Sequence, residues 1–397
     1  MISVEEATSI IFSHLFQAAA SFVRIEEAVG RVLAEEIISD RDIPPFDRVT
    51  MDGIAIDYRS WINGQRQFPL EGVHGAGQPR ISLGSAGNAI EVMTGAVLPS
   101  GTDTVIRYED LKIESGIAHV GGVKIERMQS IHRQGQDAVK GQMLLSSGMM
   151  LSPAEIALLA SVGKSKVSVY QYPVTALVAS GDELTDIGST PLPHQVRRSN
   201  IYALEAAMNT LGWRSKQFHF RDERDELAKS LGELLDQFQV IILSGGVSKG
   251  KYDFVPSVME GLGVRKLFHQ VTQRPGKPFW FGASDSGKIV FALPGNPVST
   301  FMCFFKYIRP WVLDSLGVSI PPEHAILAQD FSFEPKLTYF LLVRIINEAG
   351  KRMAYPQAGG GSGDFTNLKN VDGFLELPAD RSEFKAGEPF PFIAFRV

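Results

Sequence analysis

The feature that most constrains the fold is an alternation of short apolar runs with helical repeats between residues 174 and 315. Continuous apolar runs at 174–179, 240–243 and 289–293 predict buried strands. Apolar residues three and four positions apart predict helices through Ile201–Leu211 and Leu227–Phe238. Strands that alternate with helices predict a doubly wound α/β domain, in which a parallel sheet carries helices on both faces.

The flanking segments follow other patterns. Residues 3–38 have the spacing of helices, and helical spacing returns after Ser152-Pro153. The stretch between them is rich in Gly and Pro and contains β-type runs at 89–92 and 104–106. We therefore predict a multidomain α/β and β chain with a helical linker domain (1–42 plus 138–172), an inserted β domain (43–137), a central α/β domain (173–317) and a C-terminal β domain (318–397).

Composition limits the classes of partner. The chain has 397 residues and a formal net charge of −5, with acidic and basic residues interspersed. This balance argues against a nucleic-acid surface but leaves room for a local basic pocket that holds a small anion. No apolar run reaches the roughly 18 residues of a membrane span. The acidic start of the chain is unlike a signal peptide, so we expect a cytoplasmic protein. Its single cysteine, Cys303, excludes an intramolecular disulfide.

Polar clusters follow each of the three predicted strands. Ligands bind beyond the carboxyl ends of the strands in an open parallel sheet, so we expect these clusters to form a binding site. Glycines there let backbone N–H groups approach an oxyanion, and a carboxylate near a helix start can bind a cation. An ordinary strand-to-helix turn is the alternative. The residues are Ser180, Gly181, Asp182 and Glu183; Ser244, Gly245, Gly246 and Ser248, followed by Asp253; and Pro294, Gly295 and Asn296, with Asn296 as a helix N-cap.

A second loop, Arg274-Pro275-Gly276-Lys277-Pro278, places two cations on a stiff backbone. Proline fixes φ and glycine permits a tight turn, so the side chains are held at defined positions. Phosphate or another oxyanion is the natural ligand of such a loop. The alternative is a solvated hairpin.

The inserted domain has candidate residues of its own. Asp52, Thr94 and Asp137 offer oxygens that suit Mg²⁺ or that hydrogen-bond a ligand. Each of them is more commonly part of an Asx-turn or a helix cap. The eight histidines show no metal-ligand spacing, so we do not expect zinc. We find no nucleophile elbow, Walker A loop or GxGxxG motif.

Taken in order along nearly the whole chain, these motifs resemble those of the molybdopterin molybdenumtransferases, the molybdenum-insertion enzymes of molybdenum cofactor synthesis. The chain is similar also to the C-terminal part of gephyrin. The motifs that carry the resemblance are Pro45-Phe46-Asp47 with Met51-Asp52-Gly53, Met93-Thr94-Gly95-Ala96, Gly135 with Asp137, Gly181-Asp182-Glu183-Leu184, Ser244-Gly245-Gly246-Val247-Ser248 with Asp253, Pro275-Gly276-Lys277-Pro278, and Leu293-Pro294-Gly295-Asn296-Pro297.

The resemblance implies a homodimer whose active cleft lies between the α/β domain of one subunit and the inserted and C-terminal domains of the other. It implies a reaction of adenylylated molybdopterin with molybdate and Mg²⁺ that yields molybdenum cofactor and AMP. It assigns Arg344 and Ser362 to molybdate handling and makes Glu183 and Asp253 the expected Mg²⁺ ligands. The implied catalytic residues are Asp52, Thr94, Asp137, Glu183, Asp222 and Asp253.

The chain departs from the family pattern at three places. Arg274 stands where lysine is usual, so a planar group replaces a point charge. Gln136 replaces the glutamate that usually precedes Asp137, and Arg197-Arg198 stand where an acidic residue is expected. These differences indicate ordinary drift, altered ligand affinity or lost turnover.

Two other readings compete with the transferase. The first is a non-catalytic molybdopterin-binding or scaffold protein of the same fold. A protein that only binds an anion has little need for acidic residues beside it, which argues against this hypothesis. The acidic residues are Asp52, Asp137, Glu183 and Asp253. The second is an unrelated nucleotide-dependent enzyme, which the missing phosphate-loop motifs argue against.

Overall fold

The structure is a computed structural model that describes residues 1–247, 253–357, 361, 363 and 365–396. The chain divides into two compact units. The first unit comprises Met1–Ala34, Ser147–Ile156 and Lys166–Val397, and the second comprises Glu35–Ser146 and Ala157–Ser165. The four domain boundaries drawn from the sequence stay a prediction.

The described α-helices are α1 (Val4–Phe12), α2 (Tyr58–Ile62), α3 (Pro153–Ser161), α4 (Asn200–Asn209), α5 (Arg224–Gln237), α6 (Val255–Gly261), α7 (Pro297–Cys303) and α8 (Arg309–Ser315). A π-helical turn, Phe304–Ile308, joins α7 to α8. Within the described residues, none of the helices is both long and apolar enough to cross a bilayer.

The described strands are β1 (Ala20–Arg24), β2 (Ile37–Ile38), β3 (Arg48–Val49), β4 (Gly53–Ile56), β5 (Gln67–His74), β6 (Ala89–Val92), β7 (Thr104–Arg107), β8 (Leu111–Glu114), β9 (Ile117–Val120), β10 (Ile131–His132), β11 (Met143–Leu145), β12 (Lys166–Tyr170), β13 (Thr175–Ser180), β14 (Leu184–Thr185), β15 (Val196–Arg197), β16 (Ser215–Phe220), β17 (Val240–Ser244), β18 (Val264–His269), β19 (Gln273–Arg274), β20 (Trp280–Ser284), β21 (Ile289–Leu293), β22 (Glu323–Leu327), β23 (Phe331–Ser332), β24 (Thr338–Glu348), β25 (Lys351–Pro356), β26 (Gly373–Leu377), β27 (Glu383–Phe384) and β28 (Pro389–Ala394).

The central sheet of the first unit has the strand order β16-β13-β17-β21-β20-β18. The first four strands are parallel, as the sequence predicts. Neither β18 nor β20 was predicted; β18 pairs antiparallel with β20, and β20 pairs antiparallel with β21. The reason is chain length, because only residues 285–288 join β20 to β21. A parallel connection needs a crossover of a dozen or more residues.

Apolar cores cover both faces of this sheet, which confirms the predicted arrangement of helices. Alternate residues of β13 point to opposite faces: Leu177 packs in one core with α4 and α7, and Val178 packs in the other with α5 and α6. The same alternation along β17 and β21 explains why these strands are continuous apolar runs in the sequence.

The segment 3–38 is less helical than predicted. Helix α1 begins at a capping box between Ser3 and Glu6 and ends at Phe12. Residues 20–24 then form β1, which pairs antiparallel with β12. The helical spacing at residues 7–15 covers a single helix, and the prediction extended it too far. By contrast, α3 begins at Pro153 as predicted, with Ser152 Oγ accepting a hydrogen bond from the Ala154 N–H at 3.2 Å.

The C-terminal part of the chain is built of β-strands, as predicted, with one 3₁₀ turn at Phe365–Leu368. Strand β24 pairs with both β25 and β26, which closes a cycle of pairings through β22 and β28. The start of β24 also pairs in parallel with β19, so that Gln273 lies opposite Thr338. Through this pairing the C-terminal strands hold the first residues of the Arg274–Lys277 loop.

The second unit is built on a sheet of order β7-β4-β6-β5-β9-β8. Its strands β6 and β7 confirm the predicted runs at 89–92 and 104–106. Buried apolar residues lie on both faces of β4, where Ile54 and Ile56 join one core and Ala55 joins the other. This sheet supports the turns that carry Asp52 and Thr94, whereas Asp137 follows the separate pair β3–β10.

Candidate active site

The predicted clusters of the first unit meet at one edge of the central sheet. Strands β13, β17 and β21 are adjacent and parallel, so the loops that follow Ser180, Ser244 and Leu293 leave the same edge. Strand β20 runs the other way, and its first residue, Trp280, lies beside Ala292. The Arg274–Lys277 loop therefore enters the sheet at this edge as well.

Carboxylates crowd the loop beyond β13. The Ser180 hydroxyl donates to Asp222 Oδ1 at 2.5 Å, and the Asp222 N–H donates to Asp182 Oδ1 at 3.4 Å. Burial raises the pKa of Asp222, and the negative charges of Asp182 and Asp253 raise it further, against the opposing hydrogen bond from Ser180. Asp182 and Asp253 are thus each close enough to Asp222 to disfavour its charge.

Glu183 lies over the backbone of the same loop. A Cβ atom added at Gly181 would be 2.6 Å from Glu183 Oε2, so the carboxylate would have to move if this residue had a side chain. His219, at the end of β16, lies with Nε2 3.1 Å from the Gly181 carbonyl. A carbonyl only accepts, so Nε2 carries the proton and ties the loop to the neighbouring strand. Sequence reasoning did not find His219.

The glycines beyond β17 are required by backbone contacts. Gly245 has a φ of +105°, and a Cβ there would be 2.3 Å from the Ser180 carbonyl oxygen. Gly246 has a φ of +68°, and a Cβ there would be 2.8 Å from Val255 Cγ2. Side chains at either position would separate the loops. Ser248 lies outside the described residues, and Asp253 precedes α6 by two residues, as predicted.

Asn200 joins two of the clusters and was also missed by sequence reasoning. Its Nδ2 lies 2.8 Å from Ser244 Oγ and 2.7 Å from the Gly295 carbonyl oxygen. It is the first residue of α4, so the helix start positions the amide at the sheet edge. Because Ser244 Oγ accepts this bond, its own proton can be donated to Thr300 Oγ1, which lies 3.5 Å away.

The turn beyond β21 has the predicted form. Asn296 is the N-cap of α7 and Pro297 is its first residue. The Thr300 hydroxyl lies 2.5 Å from the Pro294 carbonyl oxygen and 3.1 Å from that of Asn296, which fixes the turn from inside the helix. Gly295 faces Gly245, since a Cβ added at Gly295 would lie 3.8 Å from the Gly245 Cα.

The Arg274–Lys277 loop is a braced structure rather than a solvated hairpin. Pro275 and Gly276 are buried, and Gln273 is fully buried beneath them. Gln273 Nε2 donates to the Gly276 carbonyl at 3.0 Å, while its Oε1 accepts from the Tyr307 hydroxyl. A Cβ at Gly276 would be 2.7 Å from Gln273 Nε2 and 2.8 Å from Cys303 Sγ. The loop backbone is therefore fixed from below.

Its two cations are exposed. The Arg274 guanidinium lies 5.8 Å from the centre of the Phe333 ring, a cation–π distance. Lys277 has no ion pair or side-chain hydrogen bond among the described residues, and neither has Arg344, which is exposed on β24. These positive groups are available to an anion. Ser362, the other predicted molybdate residue, lies outside the described residues.

In the second unit, Thr94 fixes Asp52. The Thr94 N–H and hydroxyl both donate to Asp52 Oδ1, at 2.6 and 2.7 Å. These bonds lower the pKa of Asp52, the backbone bond contributing most, so the group is a carboxylate at neutral pH. Both side chains are exposed.

Asp137 contacts a histidine that sequence reasoning also missed. His132 Nε2 lies 2.8 Å from Asp137 Oδ1, and Arg48 Nη2 lies 3.0 Å from His132 Nδ1. Gln136, one of the departures from the family pattern, accepts the Arg133 N–H through its side chain at 3.2 Å. It therefore has a local turn-forming role.

The Arg197-Arg198 departure does not supply two free cations. Arg197 Nε donates to the carbonyls of Ile187 and Ser189, at 3.1 and 3.2 Å. Arg198 forms an ion pair with Asp186, which offsets its charge. The positive charge that Arg198 adds is therefore partly offset by an acid in the same loop.

Family models of known proteins cover most of the chain. The MoeA N-terminal region (domain I and II) matches residues 2–163, a probable molybdopterin-binding domain matches residues 176–314, and the MoeA C-terminal region (domain IV) matches residues 324–395. The molybdopterin molybdenumtransferase of Synechocystis is 39% identical over 399 residues, covering 100% of both chains. That of Bacillus subtilis is 30% identical over 411 residues, covering 100% of this chain and 94% of its own.

Solved structures show the same fold. The crystal structure of the molybdopterin biosynthesis MoeA protein from Pyrococcus horikosii has a TM-score of 0.84 at 30% identity, with 100% of both chains covered. A second structure of a molybdopterin biosynthesis MoeA protein, from Pyrococcus horikoshii OT3, has a TM-score of 0.80 at 26% identity over the same coverage. The likeness extends along the whole chain rather than over the α/β domain alone.

Proposed function

The chain belongs to the molybdopterin molybdenumtransferase family, and we propose that it uses adenylylated molybdopterin, molybdate and Mg²⁺ and releases AMP. An enzyme of this family acts in molybdenum cofactor biosynthesis by molybdenum insertion. Our proposal for this chain adds the adenylylated form of the substrate, the metal ion and the nucleotide that is released.

The observation that carries the proposal is the convergence of polar loops at one sheet edge. Ser180, Ser244 and Gly295 come from three adjacent strands, and Gly245 and Asn200 hold their loops together. Backbone N–H groups in glycine-rich turns form concave sites for anions. The ligand that suits this edge has phosphate groups, as adenylylated molybdopterin has.

Molybdate is a tetrahedral dianion and needs cations and N–H or O–H donors. Lys277 and Arg274 extend from a loop whose backbone Gln273 and Tyr307 hold in place, so the points from which the two side chains start are fixed before a ligand binds. Arg344 is a further exposed cation, on the strand whose first residues pair with this loop. We assign these three side chains to the anionic parts of the substrates.

The acids suit Mg²⁺ in chemical type. Asp182, Asp222 and Asp253 are hard oxygen donors, and a divalent cation would relieve the repulsion of Asp222 by the other two. Among the described residues, no three such side chains are arranged as a ready metal site. A Mg²⁺ ion can be held by one or two carboxylates, because it commonly keeps waters and substrate phosphates as its other ligands. Glu183 and Asp253 are the residues that we propose would hold Mg²⁺, which would neutralise charge on the phosphoanhydride.

We further propose a cytoplasmic homodimer in which Asp52, Thr94 and Asp137 of one subunit serve the sheet edge of the other. The sequence resemblance is the basis of this part. The paired hydrogen bonds that Thr94 gives to Asp52 support it, because they keep a carboxylate ionised and oriented on an exposed turn.

Incubation of the purified protein with adenylylated molybdopterin and Mg²⁺, with and without molybdate, tests the proposal. We expect AMP release, measured by chromatography, that depends on molybdate. Binding of the substrate without AMP release at any protein concentration would overturn the enzymatic proposal in favour of a non-catalytic molybdopterin-binding or scaffold protein.

A further inference from the structure

We propose that His132 is a positioning residue that orients the Asp137 carboxylate, and that Arg48 selects the tautomer of His132 that can do so. The catalytic use of Asp137 rests on the proposed function. The arrangement of the three side chains does not, because it is a property of the second unit alone.

Strand pairing brings the first two groups together. Strands β3 and β10 are antiparallel, and Arg48 lies directly opposite His132. Cross-strand neighbours of this kind have Cβ atoms about 5 Å apart, so their side chains meet. Arg48 Nη2 lies 3.0 Å from His132 Nδ1, and the imidazole is about one-fifth exposed.

The hydrogen-bond chemistry then has only one consistent direction. A guanidinium has donors and no acceptor, so His132 Nδ1 must accept from Arg48 and carries no proton. The proton of the neutral ring is therefore on Nε2. That N–H donates to Asp137 Oδ1 at 2.8 Å. Arg48 thus determines that His132 presents a donor to the carboxylate.

The second carboxylate oxygen is left for the ligand. Asp137 Oδ2 has no hydrogen-bond partner among the described residues, and the side chain is about half exposed. A carboxylate fixed through one oxygen presents the other in a defined direction. Histidine–carboxylate partners at enzyme sites orient a group in this way without touching the substrate.

The backbone around Asp137 is held by other bonds. The N–H groups of Asp137 and Ala138 donate to the Ile43 carbonyl at 2.9 and 3.1 Å, and the Gln134 N–H donates to Asp47 Oδ1 at 2.9 Å. Loss of the imidazole therefore leaves the turn in place and frees only the Asp137 side chain.

The kinetic test compares His132→Ala, His132→Gln and the control Arg133→Ala in molybdate-dependent AMP release. Arg133 is the next residue, is exposed, and its side chain has no partner among the described residues. We expect His132→Ala to lower kcat by about 10- to 100-fold with little change in KM or Tm. His132→Gln, which keeps an N–H donor, should recover part of the rate, and Arg133→Ala should match the wild type. A wild-type kcat in His132→Ala would overturn the proposal.

The tautomer is tested without activity. In protein labelled with ¹⁵N-histidine, the NMR signals of His132, assigned by their loss in His132→Gln, should show a protonated Nε2 and an unprotonated Nδ1. Arg48→Ala should increase the Nδ1-protonated form. A protonated Nδ1 in the neutral wild-type ring would refute the inference. If the wild type releases no AMP but the NMR result holds, the proposed function fails and the Arg48–His132–Asp137 geometry stands.

Discussion

Single side chains at this site are constrained by neighbours that are far away in sequence. Asn200 bonds to residues 44 and 95 positions along the chain, and His132 bonds to a residue 84 positions away. Asp222 differs from its neighbours in that its environment opposes its charge. The raised pKa of Asp222 lets us predict how a single substitution there changes the stability of the fold.

Asp222→Asn should stabilise the fold at neutral pH. An aspartate in the unfolded chain loses its proton near pH 3.8, whereas folded Asp222 keeps it to a higher pH. The folded state therefore loses stability as pH rises through the raised pKa, and nothing is lost below pH 3.8. Asparagine removes the charge and still accepts from Ser180. We expect a higher Tm than the wild type at pH 7 and an equal Tm at low pH, measured by calorimetry.

The matched control is Asp285→Asn, in the exposed turn between β20 and β21. Its effect on Tm should be small at both pH values. A Tm of Asp222→Asn that is below the wild type at pH 7 would contradict the account of this carboxylate.

At the scale of elements, the Arg274–Lys277 loop shows how a short segment is fixed. Strand β24 holds its start by backbone pairing, and the π-helical turn holds it from beneath through Tyr307. Gly276 is the position where these supports leave no space. A methyl group there tests whether the brace matters.

Gly276→Ala should cost about 1–3 kcal/mol more stability than Gly287→Ala, because the added methyl would overlap Gln273, Cys303 and Met302. The two glycines have similar φ values, +91° and +79°, so backbone strain is matched. Gly287 has no atom within 4 Å of an added Cβ. Urea denaturation measures both. An equal loss of unfolding free energy in the two variants would show that the residues beneath Gly276 can move to accept the methyl group.

Sequence patterns predicted the elements whose structure follows from residues that are close together in the sequence. Continuous apolar runs gave β13, β17 and β21 because these strands are buried on both faces, and the polar clusters followed from where parallel strands end. The antiparallel β18 and β20 and the short β1 were missed, since pairing depends on connection length and on distant partners. For the same reason no local pattern marks Asn200, His132 or His219 as site residues.

At the scale of the whole molecule, the candidate residues belong to two units. Asp222, Asp253 and Lys277 are in the first unit, and Asp52 and Asp137 are in the second. We propose that residues of both units serve one active site through a homodimer with twofold symmetry. A C₂ dimer has two equivalent sites, each completed by the partner. An experiment can distinguish this arrangement from a site that is formed within one subunit.

The most direct test of the account measures AMP release by a heterodimer of Asp253→Ala and Asp52→Ala subunits, purified through two different affinity tags. Each homodimeric variant should still form a dimer. It should release no AMP, because each of its two sites lacks one carboxylate. The heterodimer should regain molybdate-dependent AMP release, since one of its two sites then contains both acids. An inactive heterodimer, or a wild-type rate in either homodimeric variant, would contradict the account.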